Sequence, residues 1–545
     1  MTPIMKIEGT LTGWLLAGLL LLLPGLVSCH KDYGEEDEYA NEPEVTLEEL
    51  NPKVVSEIDI PLYDLYRDMM QALTEGNDPT KDAQIEWLQG KMDALYKQAE
   101  EAAAAEGGND LTPAILAILQ KLLLKIRVMT YSTLGADGRM IESSMLVAWP
   151  YNFLKPNPHP DHLILGCHAT IASNVQRPTN YENLSFSTDV RILVGEWAST
   201  TITLNAPMAV MQLFTDPAEC LVVMPDYEGY GNTVSKPHPY LNRDLQGRQC
   251  VDAAVAAFQW YEANEKKMED GWKTVSIGYS QGGAVAAASY RYWLEHKTRY
   301  RKLNFAGAVC GDGPYDPYAT LKFYVSRNEM DMPCAPALVI KGMMDTDKEM
   351  IAAGARLEDY LTEDFIKTGI FDGISTKNKK TDDLDDMVEI YSRNHPGTLK
   401  YNKDNNILAE SVLNPATFAF FKDGTLPADK AQADKLLLLK HCLRKNALNY
   451  KSDTKDWMPP AGSKFSFFHS PLDIVVPYDN LTSLKQSWGE NNKCCRYIRY
   501  DAKISGHTDI GAQFMLEDMV GETYLLLKDK WTAKNFSMDD KQWLP

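Results

Sequence analysis

The chain is 545 residues long, 44% apolar and 24% charged, a balance typical of a globular protein with ample material for a core. Its formal net charge of -20 and pI near 5.0 argue against a nucleic-acid partner, which would require a basic face. The short basic cluster Lys377, Lys379 and Lys380 is followed at once by Asp382, Asp383, Asp385 and Asp386, a pattern that reads as a solvated loop.

Lys6 precedes the apolar run Trp14 to Leu23, which is short for a spanning helix and ends at Pro24-Gly25, the arrangement of a secretory signal. Leu26-Val27-Ser28-Cys29 resembles the lipobox of bacterial lipoproteins. That resemblance implies a signal peptide over 1–28, acylation of Cys29 and a membrane anchor. The alternative is an ordinary signal peptide with an incidental cysteine. The acidic, apolar-poor tract Asp32 to Glu49 cannot build a core and is expected to be part of an extended tether over 29–58. It resembles the tracts of lipoproteins sent to the outer surface of some diderm bacteria, and His30 stands where an inner-membrane retention aspartate would. The expected location is the bacterial cell envelope, as an outer-membrane lipoprotein with surface exposure left open.

Residues 59–126 are expected to form a helical extension. Leu62, Leu65, Met69 and Leu73 repeat at helical spacing, as do Ile85, Leu88, Met92 and Leu95, and Thr112-Pro113 opens a further helical run to Ile126. From Arg127 the period becomes two: Val128, Thr130 and Ser132 lead through a turn at Gly135-Ala136-Asp137-Gly138 to the stretch Met140 to Trp149, a hairpin.

Short apolar strands then alternate with helices. His162 to Cys167, Cys220 to Tyr227, Thr274 to Ile277 and Phe305 to Cys310 are runs of the kind buried on both faces of a parallel sheet. Gln246 to Tyr261 places Val251, Ala254, Val255, Phe258 and Tyr261 on one helical face. The pattern predicts an α/β fold with a mostly parallel sheet, whose functional loops lie at the carboxyl ends of the strands.

Gly278-Tyr279-Ser280-Gln281-Gly282 stands at such an end, between the strand Thr274 to Ile277 and a small-residue helix opened by Gly283-Ala284. That setting predicts a nucleophile elbow, with the Ser280 hydroxyl exposed on a sharp turn and a helix start beside it. A serine hydroxyl needs a base within hydrogen-bond reach and an acid to orient the base. His507, in Ser505-Gly506-His507-Thr508 after the strand-like Arg496 to Tyr500, is the expected base; His469 is its rival and is read as shaping the acid loop. Asp473, after the strand Lys464 to Phe468, is preferred as acid over Asp345, which follows the strand-like Leu338 to Gly342. Choosing Asp345 would leave more than a hundred residues of mixed composition before the last strand, a poor fit to compact connections.

Gly313 to Pro460 interrupts the alternation with helical and loop-like sequence and is expected to form a lid over the active face, with Asp345 inside it; a plain structural insertion is the alternative. The catalytic domain would then comprise 127–312 and 461–545, with the lid at 313–460. Apart from Cys29, the cysteines match neither a disulfide scaffold nor a zinc motif, and Cys167, Cys220 and Cys310 lie in apolar strands where buried thiols are expected. The grouping His159, His162 and His168 spans a loop and a strand, and no metal site is expected there.

From Arg127 to Leu527 the chain resembles the secretory-lipase-like branch of the α/β-hydrolase superfamily. The residues that carry this are Tyr131-Ser132-Thr133 with Asp137-Gly138, Val147 to Pro150, Gly166-Cys167-His168-Ala169-Thr170, Pro225-Asp226-Tyr227-Glu228-Gly229-Tyr230-Gly231 and His238-Pro239-Tyr240-Leu241. Gly278 to Gly283, Trp457 to Pro459, Asp473 to Pro477 and Gly506-His507 complete the set. The resemblance implies an α/β-hydrolase fold with Ser280 as nucleophile, Asp473 as acid and His507 as base, acting on carboxylic esters with no cofactor. The backbone N–H of Gln281 is expected in the oxyanion hole, with that of Ala169 preferred to that of Thr170 as second donor; where family members often carry His-Gly-Thr, this chain has His168-Ala169-Thr170. Asp226 and Tyr227 are read as ordering the neighbouring loop. The expected activity is an extracytoplasmic serine esterase acting on a small-molecule, lipid or glycan ester. A peptidase of the same fold, or a surface binding lipoprotein on a hydrolase scaffold without turnover, are the alternatives.

Overall fold

The computed structural model describes residues 39, 42–64, 66–67, 82–106, 111–155, 157–180, 220–268, 271–500, 506–514 and 518–537. The expected signal peptide and Cys29 lie outside them. No helix among the described residues is long and apolar enough to cross a membrane.

One ten-stranded sheet organises the chain. Its strands are β1 (Lys53–Pro61), β2 (Leu123–Leu134), β3 (Met140–Tyr151), β4 (His162–Cys167), β5 (Cys220–Pro225), β6 (Thr274–Tyr279), β7 (Phe305–Gly311), β8 (Phe465–His469), β9 (Cys495–Arg499) and β10 (Phe536–Ser537). Their spatial order is β1-β2-β3-β5-β4-β6-β7-β8-β9-β10. Neighbours from β5 to β10 pair in parallel, whereas β1, β2 and β3 run antiparallel to their neighbours. The β2–β3 hairpin turns at the expected glycine, with Gly138 at φ +78°, a conformation that costs glycine little.

Period-two sequence gives the sheet two buried faces. Leu163, Leu165, Leu221 and Val223 pack with Phe465 and Phe467 against α3 (Arg243–Asn264) and α4 (Gln281–Glu295). Their neighbours Ile164, Val222, Val275 and Ile277 face the other way. There they meet α1 (Asp82–Glu106), α2 (Thr112–Leu119) and a C-terminal helix over Met519–Leu527. Burying each such side chain stabilises the fold by roughly 1.5–3 kcal/mol. The eight described cysteines are buried and none forms a disulfide.

Four expectations differ from the structure, the last of them within residues 313–460. The stretch 29–58 read as a tether carries, in its later part, a helical turn at Leu47–Leu50 and most of the edge strand β1. Val45 and Leu50 are buried there, and β1 pairs with β2 from Lys53 to Pro61 with one register shift between Val54 and Ser56, so alternating Val54, Ser56, Ile58 and Ile60 outweigh the acidic composition. The helical run expected to reach Ile126 stops at Leu119, and Leu123 already opens β2. Leu338 to Gly342, strand-like in isolation, lies within a helix, Cys334–Thr346; apolar runs this short do not distinguish a strand from a buried helix.

Residues 313–460 are largely helical and carry their own core, in which Leu321, Tyr324, Phe365, Leu384, Leu436 and Leu439 pack together. The helices that bear on the site are α5 (Pro317–Arg327), α6 (Cys334–Thr346), α7 (Ile370–Thr376) and α8 (Lys430–Lys445). Asp345 is on α6, ion-paired with Lys341. The basic cluster read as a solvated loop is split: Lys379 is exposed, but Lys377 is turned inward and only 8% exposed.

Candidate active site

Ser280 ends β6 and precedes α4 with φ +55° and ψ -126°. A non-glycine residue rarely holds this backbone, and it persists only where the surroundings fix it. Here the Ser280 N–H donates to the Gly311 carbonyl at 2.9 Å, and the Ser280 carbonyl accepts from the Ala284 N–H at 3.2 Å. Close approach explains the flanking glycines. A Cβ on Gly278 would lie 2.2 Å from the Gly282 carbonyl oxygen, and one on Gly282 would lie 2.1 Å from that of Cys167.

The other two expected residues converge on Ser280 from the ends of later strands. His507 Nε2 lies 2.8 Å from Ser280 Oγ, and His507 Nδ1 lies 2.6 Å from Asp473 Oδ2. Asp473 is 2% exposed, and its Oδ1 accepts the N–H groups of Val475 and Val476, each at 2.9 Å. With one oxygen fixed by backbone, the other is left to orient the imidazole. The Tyr279 hydroxyl donates to the His507 carbonyl at 2.6 Å and holds the start of that segment against β6. Asp345 is not part of this chain of bonds and is held by Lys341 on α6. His469 donates from Nε2 to the Val476 carbonyl at 2.9 Å, which shapes the acid loop as its position suggested. Burial pushes its pKa down to about 4, so the ring is neutral at ordinary pH.

Gln281 is the first residue of α4, so its N–H has no partner within the helix. Its side chain is buried and donates from Nε2 to His238 Nε2 at 3.0 Å. His238 in turn donates from Nδ1 to the Glu228 carbonyl at 2.7 Å. Ala169 follows β4; His168 donates from Nδ1 to its carbonyl at 2.7 Å, and the Tyr227 hydroxyl donates to the His168 carbonyl at 3.1 Å. Asp226 accepts from the Thr179 N–H at 2.9 Å and from Ser144 Oγ on β3 at 2.6 Å, so the Asp226-Tyr227 pair ties its own loop to β3 and to the loop after β4. The His-Pro-Tyr-Leu stretch enters here as well: Tyr240 and Thr170 share a hydroxyl hydrogen bond of 2.8 Å.

Ser280 opens onto an almost wholly apolar cavity beneath the helices of residues 313–460, walled by Tyr240, Leu321, Met332, Ile340, Leu439 and Val476 among others. Sequence reading did not find this lining, because α5, α6 and α8 reach the serine only through tertiary packing.

His159, His162 and His168 do not form a cluster. They bond separately to the Tyr261 hydroxyl, the Lys273 N–H and the Ala169 carbonyl. Among the described residues the one group with metal-ligand proximity is Asp312, His469 and Asp473. Asp473 is engaged with His507 and backbone N–H groups, Asp312 Oδ1 accepts from the Ser470 N–H, and His469 Nε2 donates to the Val476 carbonyl, while Asp312 Oδ2 and His469 Nδ1 are buried without a hydrogen-bond partner. Asp312, missed in the sequence, directly follows β7 and is fully buried beside Asp473.

No protein-family model and no curated protein matches the sequence. Solved structures do match. A candidate hydrolase from Legionella pneumophila is similar at a TM-score of 0.54 and 15% identity, over 76% of this chain and 92% of that one. A point-mutant form of the rice cell wall degrading esterase LipA from Xanthomonas oryzae is similar at 0.52 and 17%, over 77% and 96%. With a mostly parallel sheet, helices on both faces and an elbow serine at the end of β6, the chain has the α/β-hydrolase fold.

Proposed function

We propose that the protein is a serine hydrolase of carboxylic esters, working outside the cytoplasm and resembling the secretory-lipase-like esterases. The observation that carries this reading is the unbroken line Asp473, His507, Ser280, with both imidazole nitrogens engaged at 2.6 and 2.8 Å.

In this reading Ser280 Oγ attacks the ester carbonyl carbon while His507 Nε2 takes its proton. Asp473 holds the imidazole by Nδ1 and stabilises the imidazolium that forms. The carbonyl oxygen becomes an oxyanion facing the Gln281 N–H, with Ala169 N–H as second donor. Collapse breaks the ester bond, and the alcohol leaves with the proton from His507. Water then attacks the acyl-enzyme with His507 again as base, releasing the acid and restoring Ser280. Burial of Ser280 under the lid supports the exclusion of competing water, and the apolar cavity beside it fits an acyl chain.

Location is part of the proposal and rests on the leader and lipobox-like residues. Acylation at Cys29 would anchor the mature chain to a bacterial outer membrane. A Cys29→Ser chain that still partitions with membranes after signal cleavage argues against the anchor. For the chemistry, Ser280→Ala should unfold at the wild-type temperature, lose ester turnover and lose labelling by an active-site serine phosphonate. Turnover retained by Ser280→Ala sinks the assignment.

A further inference from the structure

A second cavity lies at the seam between the lid and the catalytic face, about 230 Å³ in volume and distinct from the one at Ser280. Its walls come from the 230–240 segment, from α6 and from the end of α7, and Lys377 projects into its lining. Lys377 is the C-cap of α7, with φ +50°, a position where glycine or asparagine is the usual choice. A lysine held there is specified by its side chain, since its backbone would favour another residue.

What that side chain does is unusual for an ion. Its ammonium donates to the Val234 carbonyl at 2.7 Å and to the Lys236 carbonyl. Among the described residues it has no carboxylate within ion-pair distance. An ammonium carries three donors; the Tyr230 ring, 5.9 Å away, is a weak neutral neighbour, and the third donor can meet an anion in the cavity. Burial pushes its pKa down to about 8, with Glu228 and Asp345 acting upward and Lys341 downward. Lys341, in the same wall, adds a second positive charge, partly offset by Asp345. His238 adds none, since burial holds its pKa near 3. A buried cation with only neutral partners is costly unless a counter-charge arrives.

We propose that this seam cavity binds a small oxyanion, such as a carboxylate group, on the third donor of the Lys377 ammonium, with Lys341 as the second cation. The Lys377 carbonyl accepts from the Asn174 N–H at 2.8 Å, so the same residue is tied to the loop that follows Ala169 and Thr170. An anion held here would therefore fasten lid and oxyanion loop together.

The test titrates sulfate and acetate into Ser280→Ala protein by calorimetry, so that binding is read independently of turnover and of the proposed esterase reaction. The expected result is saturable binding that Lys377→Met weakens about tenfold or more and Lys341→Met weakens less, as for loss of a charge-assisted hydrogen bond. Lys341→Met leaves both carbonyl bonds of Lys377 in place, so it decides the matter where Lys377→Met fails to fold. No saturable binding of either anion, or affinity unchanged in the folded variants, overturns the site. Paired neutral and carboxylate-bearing esters then distinguish the source of the anion. A KM advantage for the acidic ester that Lys377→Met abolishes assigns it to the substrate, whereas equal KM values with calorimetric binding intact assign it to a free acid.

Discussion

Asp312 and Asp473 stand at the ends of neighbouring parallel strands with carboxylate oxygens within 4.8 Å of each other, both sealed from water. Burial first, and then the adjacent Asp473 charge, raise the Asp312 pKa well above its ordinary value. Two carboxylates so placed do not both ionise, and Asp473 is the one that faces an imidazole. Asp312 is therefore the protonated partner.

The sign of its pH effect follows. A pKa higher in the folded than in the unfolded chain means that the folded state binds the extra proton. Its contribution is fully present below about pH 4 and is lost as pH rises toward the folded value. Asp312→Asn keeps an acceptor for the Ser470 N–H and a donor in place of the acid proton, and asparagine tolerates the φ of +34° at this site. Relative to wild type, the variant should gain stability between pH 4 and 7, by at most about 1.4 kcal/mol per unit. Urea unfolding at both pH values measures this. A difference independent of pH would mean that Asp312 is ionised.

Asp473→Asn should separate orientation from folding. The amide oxygen can still accept from Val475 and Val476, but the amide nitrogen would face His507 Nδ1 donor to donor. We expect kcat to fall by about four orders of magnitude with KM little changed, as when a triad imidazole is held in the wrong tautomer. Steady-state kinetics on a soluble chromogenic ester check it; a loss below tenfold would remove Asp473 from the acid role.

Glycine sites supply a contrast in stability. Gly282→Ala would push a methyl carbon to 2.1 Å from the Cys167 carbonyl oxygen, backbone against backbone, and neither side can yield without opening the elbow. Gly424→Ala meets nothing within 4 Å and pays only for its φ of +84°, about 1–2 kcal/mol. The first should abolish activity and folding together. The second should lower the melting temperature by a few degrees and leave kcat unchanged.

What the sequence made legible was local. The Gly278 to Gly282 turn announces its geometry because only glycine fits positions 278 and 282 against neighbouring carbonyls. Asp473 and His507 were legible because each follows a recognisable strand, β8 or β9. Asp312 also follows a strand, but nothing in Cys310-Gly311-Asp312-Gly313 reveals that its carboxyl turns toward Asp473. The helix over Leu338 to Gly342 was misread because its apolar run is short, and the partners of Leu338, Tyr240 and Leu241, are distant in sequence. Lys377 was misread for a related reason: a charge run shows composition, whereas the carbonyls of Val234 and Lys236 that draw one lysine inward lie some 140 residues earlier.

His238 offers the sharpest test of how the oxyanion side is held. Its ring donates from Nδ1 to the Glu228 carbonyl, so Nε2 carries the lone pair that receives the Gln281 side chain. Tyr227 stacks parallel to it with centroids 6.2 Å apart. His238→Phe preserves an aromatic face toward Tyr227 but leaves the buried Gln281 amide without its acceptor, a loss of about 1–3 kcal/mol. Part of that loss should appear at the first turn of α4, whose leading N–H faces the oxyanion in the proposed reaction, giving a fall in kcat of about tenfold with a smaller change in KM. Burial holds the His238 pKa near 3, so the ring stays neutral from pH 5 to 9 and its removal should scale the kcat/KM profile without moving its limbs. His238→Gln, which can restore an acceptor, should recover part of kcat. A shifted limb in His238→Phe would mean that the ring titrates in the working range, and an unchanged kcat would mean that the Gln281 side chain has no bearing on the position of its backbone N–H.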